Sequence, residues 1–171
     1  MKLQFTEIIM SNQHFVGIAQ VFVSQDEDDT IVASNLGSCL GIAIYDSDKK
    51  KGGIIHCLLP LSTSDPEKAK SNPYQYVDTG FTQFINSFLS SGSDKKKLKI
   101  AVAGGANIND EANFFEIGKR NITVLKKLLW KNNLVLSAED VGGNTSRTLT
   151  LYISSGRMTL KTNGQITDFV N

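Results

Sequence analysis

Residues 38–60 read SCLGIAIYDSDKKKGGIIHCLLP, and how this stretch folds decides the architecture. Leu40, Ile42 and Ile44 alternate with Gly41, Ala43 and Tyr45, the period of two that a strand requires. Asp46-Ser47-Asp48-Lys49 supplies turn chemistry, and residues 53–59 (GIIHCLL) form a returning strand stopped by Pro60. The stretch therefore predicts a β-hairpin. If Ser47-Asp48 make a two-residue turn, Asp46 faces Lys49 and Cys39 faces His56. Directly opposed residues have Cβ atoms about 4.5–5.5 Å apart on one sheet face. A longer turn shifts that register.

Upstream, residues 16–23 (VGIAQVFV) and 30–34 (TIVAS) are β-branched and apolar, and the acidic run at residues 26–29 separates them as two strands. Downstream, an irregular Ser/Asp/Pro/Lys stretch precedes Val77, Phe81, Phe84, Ile85, Phe88 and Leu89, which recur at helical spacing up to a stop at Gly92. This Phe stripe reads as core packing. Residues 98–103 (LKIAVA) make a buried-type strand running into Gly104-Gly105-Ala106. Ile117, Asn121, Val124, Leu125, Leu128 and Leu129 outline a second helix, with Trp130 near its end expected to pack as well. Short strands are expected at 135–139, 148–153 and 158–161, joined by turns at Gly142-Gly143-Asn144 and Ser155-Gly156. The first dozen and last half dozen residues read as loose tails. The expected fold is α+β, a layered sandwich with helices packed on a mixed, mainly antiparallel sheet. The expected organisation is one domain, 1–171, with its core at about 14–165.

Composition narrows the function classes. Eighteen Lys and Arg balance 17 Asp and Glu, so no global field favours nucleic acid or an acidic membrane. No apolar run approaches the ~20 residues of a membrane span. Residues 1–7 (MKLQFTE) lack the apolar stretch of a secretory signal, so the expected location is the cytoplasm, with no membrane insertion. A reducing cytosol argues against a disulfide between the two cysteines, Cys39 and Cys57. The acidic run and the lysines at 95–97 read as solvated loops.

The chemistry centres on few residues. With only two histidines in the chain, His56 in the returning strand is the better base candidate, and His14 lacks any catalytic or ligand pattern around it. A free thiol has a pKa of about 8.5, so Cys39 needs a base to become a nucleophile. An imidazole beside it takes the proton and returns it to a leaving amine. A lone cysteine beside a strand is more commonly a small buried hydrophobe, and the hairpin leaves both readings open. Cys57, adjacent to His56, should face the opposite way into the core. No C-x-x-C, H-E-x-x-H or comparable cluster favours a metal, and neither Gly104-Gly105 nor Gly142-Gly143 fits a phosphate-loop pattern. Both glycine pairs read as turns.

An ordered set of motifs goes further. It begins with VGIA at 16–19 and LGSC at 36–39 leading into GIAIYD at 41–46. It continues through GGIIH at 52–56, LLP at 58–60, YVD at 76–78 and GGA at 104–106. It closes with IGKRN at 117–121 and DVGG at 140–143 followed by Arg147. From about Val16 to Thr162 the chain resembles the CheD family of chemoreceptor glutamine deamidases. The resemblance implies that Cys39 is the nucleophile and His56 its base. It implies hydrolysis of receptor Gln to Glu through a thioester, on a layered fold also seen in deamidating bacterial toxins, without cofactor or metal. It also implies the cytoplasmic domain of a chemoreceptor as partner, and a CheC-type phosphatase of CheY as another. The family's usual Thr, six residues before the cysteine and a third active-site member, is replaced here by Ala33, which has no hydroxyl. Thr30, Ser34 and Asn35 are the nearby polar groups. Gly37 and Ser38 at the Cys39 turn, and the Gly104-Gly105-Ala106 loop, are candidate places for oxyanion donors; Asn121 is a candidate lining residue.

Two other classes remain in play at this stage. One is a binding module for the CheC-type phosphatase with little activity of its own, which Ala33 favours. The other is a different acyl-transfer enzyme, a thiol protease or methylesterase, using the same pair.

Overall fold

The two halves of the 38–60 stretch pair as an antiparallel hairpin at the centre of a computed structural model, which describes residues 11–108 and 116–171. Strand β4 (Leu40–Asp46) lies against β5 (Lys51–Cys57). β2 (Gln20–Ser24) borders β5, while β6 (Leu98–Gly104) and then β7 (Ala138–Val141) extend the sheet from β4, in the order β2-β5-β4-β6-β7. A second sheet has the order β1-β3-β8-β9-β10, from Asn12–Phe15, Asp29–Leu36, Arg147–Tyr152, Met158–Thr162 and Gln165–Val170. Among the strand pairs of the described residues, only β1–β3 and β6–β7 are parallel. The helices are the short α1 (Pro66–Ser71), α2 (Val77–Leu89) and α3 (Ile117–Lys131).

The central hairpin is buried on both faces, which explains why both phases of its alternation are apolar. Leu40, Ile42 and Ile44 join Ile55 and Cys57 in a core with Phe81 and Phe88 of α2 and Leu125 and Leu129 of α3. Ala43, Tyr45 and Ile54 point the other way, into a core with Ile31, Leu149 and Leu151 of the second sheet. The result is three layers: helices, the hairpin sheet, then the second sheet. Each fully buried Phe of α2 contributes about 1.5–3 kcal/mol from its transfer out of water.

Four local expectations change. Residues 16–23 are not one strand, because the chain leaves one sheet for the other there. The Val16 amide bonds Val32 O in the second sheet, while the Ala19 amide bonds His56 O in the hairpin sheet. Ala19 takes a positive φ of 60° in the crossing. The C-terminal residues are not a loose tail: Asn163 and Gly164, with φ of 50° and 79°, turn the chain into β10. Within the irregular stretch, Asp65 caps the Lys68 amide and Pro66 opens α1. Trp130, expected to pack, is 83% exposed. Among the described residues no helix is long and apolar enough to cross a membrane.

Candidate functional site

The site forms where β3 turns into β4. A register shift between Ala33 and Leu36, with Asn35 at φ 56°, bulges β3 before its last pair with β8, Leu36–Arg147, and the chain then comes round through Gly37 and Ser38 to Cys39. Three consecutive carbonyls of that turn are held by donors. Ala106 N–H bonds Gly37 O at 2.8 Å, Asn121 Nδ2 bonds Ser38 O at 2.9 Å, and Gly105 N–H bonds Cys39 O at 2.8 Å. With the carbonyls tied back, the Ser38 and Cys39 amides make no hydrogen bond to another backbone group among the described residues. Two amides left open beside a thiol can hold an oxyanion.

Close approach makes this clamp possible. Gly104 sits at φ 113°, and a Cβ there would overlap the Cys39 carbonyl oxygen. Gly118 of α3 abuts the Gly105 carbonyl in the same way, so helix, loop and turn meet backbone to backbone. The Gly104-Gly105-Ala106 loop was an expected source of oxyanion donors. Its Gly105 and Ala106 amides are instead spent on the Cys39 turn.

His56 stands behind the cysteine. Asp46 pairs with Lys51 rather than Lys49, because residues 47–50 form a four-residue loop with Lys50 at φ 47°. The residue opposite His56 is therefore Gly41, two residues beyond Cys39. Cys39 lies one residue before β4, whose register begins with Leu40 opposite Cys57; carrying the strand alternation back by that one residue makes Cys39 a diagonal neighbour of His56, a relation that places Cβ atoms about 7–8 Å apart or somewhat less. No hydrogen bond joins them: among the described residues His56 Nε2 is buried without a partner. On the other side of the ring, Nδ1 lies 3.2 Å from Val16 O. A carbonyl only accepts, so Nδ1 carries the proton and Nε2 presents a bare lone pair. An unpartnered buried acceptor costs about 1–3 kcal/mol, so Nε2 is an open position for a hydrogen-bond donor.

Burial sets the resting charges. Desolvation pushes the Cys39 thiol above its ordinary pKa, opposed only by its own amide. Desolvation also lowers His56 below the ordinary imidazole value, opposed by Val16 O. Both groups rest neutral near pH 7, so activation requires proton transfer during attack rather than a standing thiolate. Cys57 is fully buried on the helix side of the sheet, where desolvation drives its thiol far up, and both cysteines are free thiols.

Cys39 opens onto a cleft of about 750 Å³, whose walls include Asn35, Ser38, Ile18, Ile108 and the first turn of α3. His56 does not line it. Asn121 does not line it either: it is wholly buried, and its Nδ2 bridges Ser38 O and Leu58 O at 2.9 and 3.0 Å. Ala33 lies in the core between the sheets. A group the motifs alone could not place is Arg147, which is 7% exposed. It donates to Gly142 O, Thr145 O and Asp140, shaping the Gly142-Gly143 turn that forms part of the cleft wall. That turn is tied to Gly104 O through the Gly142 amide. His14, far from the cysteine in sequence, bonds Asp29 at 2.8 Å and stacks on Phe22.

A family model described as CheD chemotactic sensory transduction matches residues 58–162. The probable chemoreceptor glutamine deamidase CheD 1 of Syntrophus aciditrophicus is 42% identical over 149 residues, 87% of this chain and 93% of that protein. The chain belongs to the CheD family. A probable chemoreceptor glutamine deamidase CheD of Solibacter usitatus is 40% identical over 158 residues, 92% of this chain and 94% of its own. Another, CheD 2 of Anaeromyxobacter dehalogenans, is 36% identical over 151 residues, 88% of this chain and 95% of its own. The CheD family model begins at Leu58, just past His56, but alignments this long to CheD relatives extend across both Cys39 and His56.

Proposed function

We propose that this chain is a single-domain, cytoplasmic chemoreceptor glutamine deamidase that uses Cys39 as nucleophile and His56 as general base. The observation that carries the reading is the bare, buried Nε2 of His56, a residue that pairs with Gly41, two residues beyond Cys39. Substrate entering the cleft displaces water and lets the thiol close on Nε2; such bonds are commonly long before substrate binds. The Cys39 proton passes to Nε2 as sulfur bonds the carboxamide carbon. The Ser38 and Cys39 amides receive the oxyanion, worth about 2.7–4 kcal/mol per donor in comparable sites. Collapse breaks the C–N bond, and His56 protonates the departing nitrogen to give ammonia and a thioester. Water, deprotonated by His56, then attacks the thioester, releasing glutamate and restoring the thiol.

The test is peptide mass spectrometry of a chemoreceptor cytoplasmic fragment incubated with wild type or Cys39→Ala. Gln-to-Glu conversion by wild type alone supports the reading; equal conversion by the variant removes Cys39 from it. A second reading is a module that binds a CheC-type phosphatase. It is favoured by Ala33, which offers His56 no hydroxyl, and by the missing Cys39–His56 hydrogen bond. It predicts phosphatase binding by Cys39→Ala without any glutamine conversion by wild type.

A further inference from the structure

The outer face of α3 has no part in the chemistry above. Its sequence, IGKRNITVLKKLLWK, holds Lys119, Arg120, Lys126, Lys127 and Lys131 and no carboxylate, in a chain of net charge +1. All five cations are exposed. Lys119 pairs with Glu116 and Lys126 with Glu139. Among the described residues Lys127 and Lys131 make no ion pair. Lys95 reaches the same end of the helix, its Nζ donating to Asn132 O at 3.3 Å. Between these cations Trp130 stands 83% exposed, with Val135 80% exposed just beyond the helix.

A cation at a helix C-terminus is favourable against the helix dipole, and that alone accounts for Lys131. It does not account for Trp130. A Trp side chain offers about 150–250 Å² of surface for burial, and leaving it in water forgoes that gain. An exposed Trp on the same helix face as two unpaired lysines, Lys127 and Lys131, is the composition of a recognition surface rather than of a solvated helix face. Its position is informative too. Ile117, Gly118, Lys119 and Ile122 line the cleft that holds Cys39. At 1.5 Å per residue, Trp130 lies about 20 Å further along the helix axis. The cationic face thus runs from the rim of the cleft outward.

We propose that the outer face of α3 docks an acidic segment of the protein whose glutamine enters the cleft. Carboxylates of that segment lie against Lys127, Lys131 and Lys95, and an apolar side chain covers Trp130 and Val135. This rests on the reading of Cys39 as a protein-glutamine deamidase. Charge complementarity selects an acidic occupant. Continuity with the cleft selects a polypeptide over an anionic membrane, since only a chain can run along α3 and also deliver a side chain to Cys39. Binding energy gained this far from the reacting carbon helps hold the glutamine in place, and the charged row steers encounter in a salt-dependent way.

Trp130 is the only tryptophan in the chain, so its emission reports docking without catalysis. The probe is a peptide of about 20 residues, long enough to span the helix, carrying one Gln and regularly spaced Glu. Its control carries Lys in place of Glu. With Cys39→Ala protein, the acidic peptide should give a saturable blue shift and the control none. Lys127→Glu combined with Lys131→Glu, or about 0.5 M salt, should weaken binding about 10-fold or more. With an active Cys39, the same double variant should lower the preference for acidic over neutral Gln peptides about 10-fold, through KM rather than kcat. No shift with the acidic peptide, or a shift untouched by the double variant, overturns the proposal. So does a shift seen only with phosphatidylglycerol-containing vesicles, which would make α3 a membrane face. A charge-dependent shift without turnover of any glutamine supports the docking face and removes the deamidase reading instead.

Discussion

Asn121→Ala isolates the clamp that holds the Cys39 turn. Asn121 is fully buried and bridges Ser38 O and Leu58 O through one nitrogen. Its removal takes a donor from each carbonyl, and leaving a buried acceptor unpaired costs about 1–3 kcal/mol. Loss of Oδ1, itself buried without a partner, offsets part of this. The sum is a destabilisation of about 2–3 kcal/mol. Urea unfolding reads it directly: with a slope near 2 kcal/mol/M, the midpoint falls by about 1–1.5 M. Turnover should fall further than stability suggests, because the turn keeps two of its three carbonyl ties and Cys39 drifts from His56. Misplacement on the 1 Å scale costs up to about 100-fold in rate. Asn121→Asp, which keeps the shape but replaces the donor with an acceptor facing two carbonyls, should be worse on both counts. A midpoint change under about 0.2 M with full turnover would refute the clamp.

Other predictions follow from the same geometry. His56 titrates lower when folded than its ordinary 6.5, so the unfolded chain takes up the proton first. Stability is therefore complete above about pH 6.5 and declines as pH falls through and below it; His56→Gln should flatten that decline in a pH series of urea melts. The acid limb of kcat/KM should likewise have its midpoint below 6.5, because neutral His56 is the working form. Gly104→Ala places a Cβ on the Cys39 carbonyl and should abolish turnover, whereas Gly142→Ala, whose Cβ meets nothing within 4 Å, should cost only about 1 kcal/mol of backbone strain in a melt. Iodoacetamide should alkylate Cys39, which opens on the cleft, and spare Cys57 until the protein unfolds, as peptide mapping would show.

How much of this was legible follows from the range of each determinant. The hairpin, the Phe stripe of α2 and the apolar face of α3 are local patterns, and each forms where its periodicity predicts. The hairpin register was not legible, since the turn-forming residues at 46–51 permit several loop lengths; the face survived because the shift was an even number of residues. The break at residues 17–19 was hidden because both sheets want apolar strands, so an unbroken apolar run looks the same whether or not it changes layer. β10 had a local signal, Asn163-Gly164, which outweighs the exposure of residues 165–168. Asn121 acts on backbone carbonyls more remote than any motif spacing describes, 83 and 63 positions away. Only the folded chain reveals such partners.

The central claim is that Cys39 carries the acyl group. Its most direct test is acid-quenched turnover of a receptor-derived glutamine peptide, followed by peptide mapping of the protein. The account predicts a hydroxylamine-labile adduct of the peptide, less ammonia, on Cys39 and on no other residue. Glutamate formation that continues with Cys39→Ala, or an adduct mapped to a different side chain, would contradict it.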